Sequence, residues 1–448
     1  LLFIALQPYL DKMIMISMGQ GLPDLSMGRL GLAFLLISLL GRATLGKVRL
    51  APLGLMELLT VAVPVGIMLA APLSKQPLSV VQTAFSHYLL PLLIYFIAKN
   101  CVHDEHELTS LMTAVMVLGV LVTAYMVFEL ATGVILFPED GASAERLART
   151  YSRRTPGLWL VKGLLSDSYN FGRVLVTTIL ASTYLLFRRR GREWSWWILA
   201  ALIFQLTGLF LSLNRTCWVA LVVGLAILQF AFPRLRRWLL TTVIVVAATV
   251  VVFHRPVLES VLVQKRVLYN LRTLNGRLPR WHTAIDMWRD RPVLGWGFGR
   301  FEDHSGLYRR DGGVDNLKTP ESDYLTILVS AGLVGFLPYV LSLLTPFFFS
   351  LRLFYKARAP DWGGFVRPEA IITYWAVLSG LLLTSLTVNL GLGIVRGLVY
   401  TVAGAVVGTH EVWLRAANRT APRFVDRGDT GEPTLRPDRA DPPRLDGR

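Results

Sequence analysis

Two polar residues interrupt an otherwise apolar run, LFLSLNRTCWVALVVG (209–224). A charge at the centre of a membrane helix costs about 2.5–3.5 kcal/mol, so Arg215 needs an explanation. The surrounding run, 195–232, is too long for one crossing and is basic at both ends. We therefore expect a hairpin with Asn214 and Arg215 at its outer tip. Arg215 then either snorkels to the interface or binds an anion.

A second arginine-containing pattern follows in NGRLPRWHTAIDMWRDRPVLGWGFGRFED (275–303). Helical spacing places four residues on one face: Arg277, Trp281, Ile285 and Trp288. Pro279 suits the first turn of this helix and Pro292 ends it, with Arg280 on another face. The face predicts either an interfacial helix or one packed on a bundle. Arg277 at the helix start favours an anion, because free N–H groups and the helix dipole lie there.

Glycines punctuate the next segments. GWGFG (295–299) superficially resembles a nucleotide loop, but it follows a helix and a proline instead of a strand. We interpret its glycines as allowing a tight turn and a close backbone approach. Gly332 and Gly335 are expected to let another helix approach closely.

A polar stretch, TPESD, leads into an apolar helix within 319–344. Thr319 or Ser322 is expected to cap this helix, with Glu321 and Asp323 in its first turn. Capping alone explains these residues. The alternative is that Glu321 or Asp323 is a general base at the membrane surface.

The elements that must position these residues are membrane helices. The chain has 448 residues, of which 53% are hydrophobic, and its mean hydropathy is +0.49. Apolar runs near the length of a membrane span predict an all-α polytopic protein with about twelve transmembrane helices. The runs lie near 1–18, 27–42, 51–72, 79–98, 109–136, 172–187, 195–213, 216–232, 238–254, 324–352, 369–388 and 394–413.

Charge placement predicts the topology. The net charge of +16 does not indicate nucleic acid, because the basic residues cluster in short links between apolar runs, as in cytoplasmic loops. With those links inside, loops 137–171 and 255–323 face outward. We expect a transmembrane domain over 1–414 and a disordered cytoplasmic tail over 415–448.

The remaining polar patterns are weaker. In the loop 137–171, Arg153, Arg154 and Lys162 either contact an anionic lipid or glycan, or anchor the loop at the interface. HDEHE (103–107) falls in a short inward link, and the chain lacks HExxH and cysteine clusters, so no metal site is predicted.

Four segments together resemble a known family: LNRTCW (213–218), GRLPRW (276–281), RPVLGWGFGRF (291–301) and ESDYLTILVSAGLVG (321–335). The combination is similar to the O-antigen ligase and O-antigen polymerase superfamily. The resemblance covers about 27–413 by topology, and its specific motifs lie within about 213–335.

The resemblance implies a function. Such enzymes move a glycan from an undecaprenyl-pyrophosphate carrier to an acceptor on the outer face of the cytoplasmic membrane. The acceptor is lipid A–core in ligases and another lipid-linked glycan in polymerases. The family's two key arginines fall on Arg215 and Arg277, which would grip the pyrophosphate. The predicted substrate contacts are Arg215, Arg277, Arg280, Asn214, Tyr324, Arg300 and Arg154.

One position departs from the ligase pattern, because Glu321 stands where a histidine is expected. Glu321 is the predicted base, with Asp323, Asp303 and His304 as alternatives. We expect direct inverting displacement, in which arginine charge makes a divalent metal and any other cofactor unnecessary. The competing interpretations are a transporter or flippase of lipid-linked saccharides, which should carry mid-bilayer charges or broken helices, and a structural assembly subunit.

Overall fold

The computed structural model describes residues 15–16, 25–47, 50–132, 168–188, 192–241, 271–310, 317–359, 362–387 and 393–408. Several predictions lie outside these residues. They are the first apolar segment except Met15 and Ile16, the segment 242–254, the loop 137–167 with Arg153, Arg154 and Lys162, and the tail 415–448.

The described chain is helical apart from one two-residue antiparallel ladder, β1 (Met15–Ile16) with β2 (Leu25–Ser26). Its helices are α1 (Met27–Thr44), α2 (Leu55–Leu69), α3 (Pro77–Cys101, with a π turn at Phe85–Leu89), α4 (Glu105–Thr132), α5 (Ser168–Arg188), α6 (Arg192–Leu211), α7 (Arg215–Leu228), α8 (Leu271–Asp290), α9 (Arg300–His304), α10 (Asp323–Ala357), α11 (Pro368–Ser385) and α12 (Gly393–Ala403, continued by a π turn at Gly404–Gly408).

Five helices of the described chain are long and apolar enough to cross a membrane: Leu55–Leu73, Pro77–Cys101, Glu105–Thr132, Tyr169–Arg188 and Asp323–Ala357. Ser195–Leu211, Arg215–Leu228 and Val395–Gly408 are shorter apolar helices. The all-α prediction is confirmed. The count of about twelve spans is not, because several apolar runs form helices below spanning length and two fall largely outside the described residues.

The run 195–232 forms the predicted hairpin. Helix α6 runs antiparallel to α5, because Gln205 bonds to Ser182 and Ser212 lies beside Gly172. Helix α7 runs parallel to α5, since Cys217 also contacts Gly172 and the Phe232 ring stacks on Phe187 near the C-terminal end of α5. Helices α6 and α7 therefore run in opposite directions, with the turn between them at 212–214.

Helix α10 is broken at Gly332, which has φ +58°. The rings of Tyr324 and Tyr339 are 5.9 Å apart, whereas an unbroken helix would separate these residues by about 22 Å. The segment 323–331 therefore folds back along 333–357. The prediction of one continuous helix over 324–352 is wrong, because Gly332 adopts φ +58° and ψ −158°, a conformation restricted to glycine, and reverses the chain there.

The backbone groups freed by this break bond to the loop 292–297. Trp296 and Gly297 donate N–H groups to the carbonyls of Val329 and Ser330, at 2.8 and 2.9 Å. In return, Leu333 donates to Pro292 at 2.9 Å. Backbone at membrane depth must be satisfied by protein in this way.

The predictions about the glycines have different outcomes in the structure. Gly295, Gly297 and Gly299 all have positive φ, and a Cβ on Gly295 would lie 2.4 Å from the carbonyl oxygen of Val329, so the predicted tight turn and close approach are confirmed. Gly335 does allow close helix packing, because a Cβ on Gly66 of α2 would lie 2.9 Å from its Cα. Gly332 instead forms the break.

Candidate active site

Helix α8 presents two arginines on the stripe that packs against α10. Arg277, Arg280, Ala284 and Met287 follow helical spacing, and the last two are fully buried against Val329. The helix ends at Asp290, as Pro292 predicted, but it begins at Leu271, so Pro279 is interior and not in the first turn, and the prediction that Arg277 lies at the helix start is wrong. The face of α8 that packs against α10 is therefore not the predicted one with Trp281, Ile285 and Trp288. Arg280 lies on the packed face together with Arg277.

Both arginines bind one carboxylate. Arg277 Nε lies 3.2 Å from Glu321 Oε2, and Arg280 Nη1 forms an ion pair with Glu321 Oε1. The side chain of Glu321 is 36% exposed, so solutes reach this cluster. Glu321 precedes α10, contrary to the prediction that it lies in the first turn.

The backbone of Glu321 has φ +54°. For a residue with a Cβ this left-handed conformation costs roughly 1–2 kcal/mol. Leu213, which precedes Asn214 and Arg215, has φ +52°. Among the described non-glycine residues these two are the ones with positive φ. Such strain collects at functional sites, where surrounding contacts hold it in place.

Ser322 occupies the N-cap position of α10, but its side chain forms no capping hydrogen bond. The next residue, Asp323, is fully buried. Its Oδ2 lies 3.2 Å from Arg396 Nη2 and 3.6 Å from Arg173 Nη2. Asp323 is therefore an ion-pair partner inside the bundle and not a base at the membrane surface.

Arg173 and Arg396 are buried by neighbouring helices. Arg173 donates to Thr384 Oγ1 at 3.2 Å and to Ser385 Oγ at 3.1 Å, at the end of α11. Arg396 lies with its Cζ 4.7 Å from the centre of the Tyr88 ring. Sequence analysis missed both arginines, although each is a cation within or beside an apolar run, which is the signal for a functional charge in a membrane protein.

Asn214 and Arg215 begin α7. Asn214 is buried at the N-cap position, and its Nδ2 has no hydrogen-bond partner in the described structure. Arg215 is half-buried. The next residue, Thr216, contacts Thr387 through their hydroxyl groups at 3.1 Å. Because Thr384, one turn before Thr387, binds Arg173, these contacts place the start of α7 beside the buried arginines.

The other predicted site residues lie in different surroundings. Arg300 donates to the carbonyl of Leu73 at 3.2 Å and lies 3.4 Å from Asp303. A hydrogen bond from Lys75 holds the pKa of Asp303 below its usual value. Tyr324 donates its hydroxyl to the carbonyl of Leu382 at 3.1 Å.

His304 packs against the Trp296 ring, with 4.7 Å between ring centres. Asp303 and His304 are therefore engaged with α9 and its neighbours. Of the predicted site residues, the structure joins Arg277 and Arg280 to Glu321, and it joins Arg300 to Asp303.

Guanidinium groups such as those of Arg277 and Arg280 bind carboxylates and phosphates through charge-assisted hydrogen bonds. Residues 199–340 match the family model described as O-antigen ligase. The match contains Arg215, Arg277, Arg280 and Glu321, and it supports placing the protein in the O-antigen ligase and polymerase superfamily. Among curated proteins, no sequence matches the chain.

Proposed function

We propose that the protein is a glycosyltransferase that moves a glycan from undecaprenyl pyrophosphate to an acceptor on the outer face of the bacterial cytoplasmic membrane. One observation carries the proposal: Arg277 and Arg280 converge on a single, partly exposed carboxylate within the residues that match the O-antigen ligase family. Two guanidinium groups arranged for one carboxylate are also arranged for a phosphate.

The pyrophosphate of the donor competes with Glu321 for these arginines. A diphosphate carries more charge than a carboxylate and offers more acceptor oxygens, so Arg277 and Arg280 turn to it when the donor binds. Arg215, at the start of α7, adds a third guanidinium. Together they neutralise the leaving group as its charge develops, which removes the need for a divalent metal at this step.

When the pyrophosphate takes Arg277 and Arg280, the Glu321 carboxylate is released from both arginines. The acceptor hydroxyl oxygen attacks the anomeric carbon of the donor, and its proton passes to the Glu321 carboxylate. The bond between that carbon and the pyrophosphate oxygen breaks, and its electron pair leaves with undecaprenyl pyrophosphate. Attack opposite to the leaving group inverts the anomeric carbon.

The other candidate bases are less suitable. Asp303 is bound by Lys75 and lies near Arg300. Asp323 is buried between two arginines. Neither carboxylate gains a proton-accepting role when the donor takes Arg277 and Arg280. This supports Glu321 as the base.

Basic residues at the opposite end of the bundle support the proposed orientation. Arg188 at the end of α5 pairs with Glu105 at the start of α4, and Arg367 precedes α11. Lys356 lies at the end of α10. Cations at this end favour the cytoplasmic side, which supports an outer position for Glu321 and Arg215.

A second candidate function, transport of a lipid-linked saccharide, also has structural support. A transporter should carry charges within the bilayer or broken helices, and Arg173, Asp323 and Arg396 form a charged cluster buried in the bundle. Helix α10 is also broken. Both features occur in transporters. A transporter, however, would leave the bond between glycan and pyrophosphate intact.

The deciding experiment measures whether the protein breaks the bond between the glycan and the pyrophosphate. The purified protein in lipid nanodiscs is mixed with undecaprenyl-pyrophosphate glycan, extracted from the cells that make the protein, and with lipid A–core or further lipid-linked glycan as acceptor. We expect release of undecaprenyl pyrophosphate, with and without EDTA, and loss of release in Arg215→Ala and Arg277→Ala. Movement of intact donor across vesicles without release would establish the transporter instead. The acceptor that is consumed distinguishes ligase from polymerase.

A further inference from the structure

A buried ionic cluster lies two residues beyond Glu321. We call it the Asp323 clamp, and it consists of Arg173, Asp323 and Arg396. Both guanidinium groups approach the same oxygen, Oδ2 of Asp323, Arg173 from α5 and Arg396 from α12. All three side chains are at most 2% exposed. Arg173 and Arg396 both lie outside the residues that match the O-antigen ligase family.

The clamp fixes the start of the folded-back segment 323–331. Arg173 is held in turn by the hydroxyls of Thr384 and Ser385. Arg396 is held by the Tyr88 ring and by the carbonyl of His87, 3.4 Å from its Nη1. Asp323 thus cannot shift without moving side chains anchored on α3, α11 and α12.

Glu321 needs such an anchor. Its left-handed backbone persists only if neighbouring contacts hold it. On its outer side the contacts come from Arg277 and Arg280. When a donor takes those arginines, the holding contacts on that side are lost, and the buried contacts of Asp323 stay in place.

We propose that Arg173 and Arg396 are positioning residues, which hold Glu321 for catalysis by fixing Asp323. The inference rests on the proposed function for the role of Glu321. Arg173 and Arg396 do not touch the substrate. They keep the Glu321 carboxylate within reach of the acceptor hydroxyl after the donor has displaced it from Arg277 and Arg280.

The charge balance of the clamp supports a functional role. Two guanidinium groups share one carboxylate, and Arg173 Nη1 has no hydrogen-bond partner in the described structure. A second buried ion pair, Lys99 with Glu57, offers a matched control. It is equally buried, at 2.8 Å, and it joins α3 to α2 near the other end of α3.

The test is a double-mutant cycle between the clamp and Glu321. Arg173→Lys and Arg396→Lys keep the charge but lose the planar fork of donors. We expect kcat for release of undecaprenyl pyrophosphate to fall roughly 10–100-fold in each, the scale of a misplacement near 1 Å. The KM for the donor should change much less. In the Glu321→Gln background either substitution should cause little further loss, because the group it positions is already removed.

The control is Lys99→Arg, which should act additively with Glu321→Gln. Folding is checked by gel filtration and thermal unfolding in nanodiscs. If either lysine variant fails to fold, Ser385→Ala, which removes one hydroxyl from Arg173, replaces it in the cycle, with a smaller expected loss of kcat.

Two negative results are distinguishable. Full additivity between the clamp variants and Glu321→Gln, or a loss confined to KM, would overturn the positioning role while the wild-type enzyme stays active. A wild-type protein that releases no undecaprenyl pyrophosphate would overturn the proposed function first.

Discussion

Two buried ionic groups at different levels of the bundle show how buried charges can serve different purposes. Near the end of α3, Lys99 Nζ binds Glu57 Oε1 at 2.8 Å and the carbonyl of Pro52 at 3.2 Å. The other oxygen of Glu57 accepts the N–H of Gly54 at 2.8 Å. This pair is balanced in charge, and both oxygens of its carboxylate are bonded.

Among the described residues, the Asp323 clamp differs in its charge balance. Two cations face one carboxylate, and one guanidinium nitrogen of Arg173 has no partner in the described structure. Removing ions from water costs several kcal/mol each, which only good pairing offsets. An imbalance that selection for stability alone would remove is therefore best explained by the neighbouring site. The balanced pair fastens α2 to α3, and the unbalanced one supports Glu321.

The largest expected effect comes from breaking the clamp itself. Asp323→Ala leaves two buried arginines without their carboxylate, and breaking a buried ion pair costs about 3–5 kcal/mol. We expect a marked drop in thermal stability and no detectable turnover. Thermal unfolding in nanodiscs measures the stability, and release of undecaprenyl pyrophosphate measures the turnover. Wild-type stability in this variant would contradict the ionic contact with Arg173 and Arg396.

Arg277→Ala should leave the fold intact and lower kcat/KM for the donor roughly 10²–10³-fold, the scale for removing one group that stabilises developing charge. Arg289→Ala is the matched control, because this arginine on the same helix is exposed and pairs with Asp286. Steady-state kinetics with varied donor decide the outcome. Equal losses in both variants would indicate a general effect of charge.

Glu321→Gln separates the roles of the carboxylate as base and as competitor. Without its charge, Arg277 and Arg280 are free for phosphate, so undecaprenyl pyrophosphate should bind more tightly, by a few-fold. Turnover should fall about 10²-fold or more, because general-base catalysis contributes on that scale. Binding is measured by microscale thermophoresis and turnover by product release. Weaker binding together with lower turnover would show that Glu321 holds the arginines in place instead of competing for them.

The sequence singled out residues that the structure brings together, but only where a local pattern carried the information. Arg215 stood out because it interrupts an apolar run, and Glu321 because it precedes a helix. Arg277 was singled out at an expected helix start, whereas the helix begins at Leu271. The helix end before Pro292 and the turn in GWGFG follow from local backbone preferences. The resemblance to the superfamily came from four short motifs taken together.

What the sequence did not predict depends on contacts between distant segments. Asp323 was interpreted as a surface residue because its partners, Arg173 and Arg396, lie on α5 and α12. The reversal at Gly332 depends on hydrogen bonds from the loop 292–297, which no pattern within α10 indicates. Hydropathy predicted one helix over 324–352, because the segments before and after Gly332 are both apolar.

The balanced pair should tolerate replacement. In the double variant Glu57→Gln with Lys99→Met, both charges are removed, and Gln can still accept the N–H of Gly54. Replacing both partners of a buried ion pair by groups of similar volume is often neutral or stabilising. We expect thermal stability and turnover close to wild type. A loss of turnover would show that the comparison between the two ionic groups is mistaken.

The smallest effect is expected at Asp303, an exposed carboxylate that ties α9 to the connection between α2 and α3 through Lys75. Because the hydrogen bond from Lys75 lowers its pKa on folding, the contact stabilises the fold above the ordinary carboxylate pKa of about 3.9. That stability is lost as the pH falls through the lower, folded pKa. Asp303→Asn should therefore reduce the thermal stability slightly at neutral pH, and the difference from wild type should vanish in strong acid. Turnover at neutral pH should be retained, since Glu321 is the base. A large loss of turnover with unchanged stability would identify Asp303, and not Glu321, as the base. The Asp323 clamp would then position a residue that accepts no proton in the reaction.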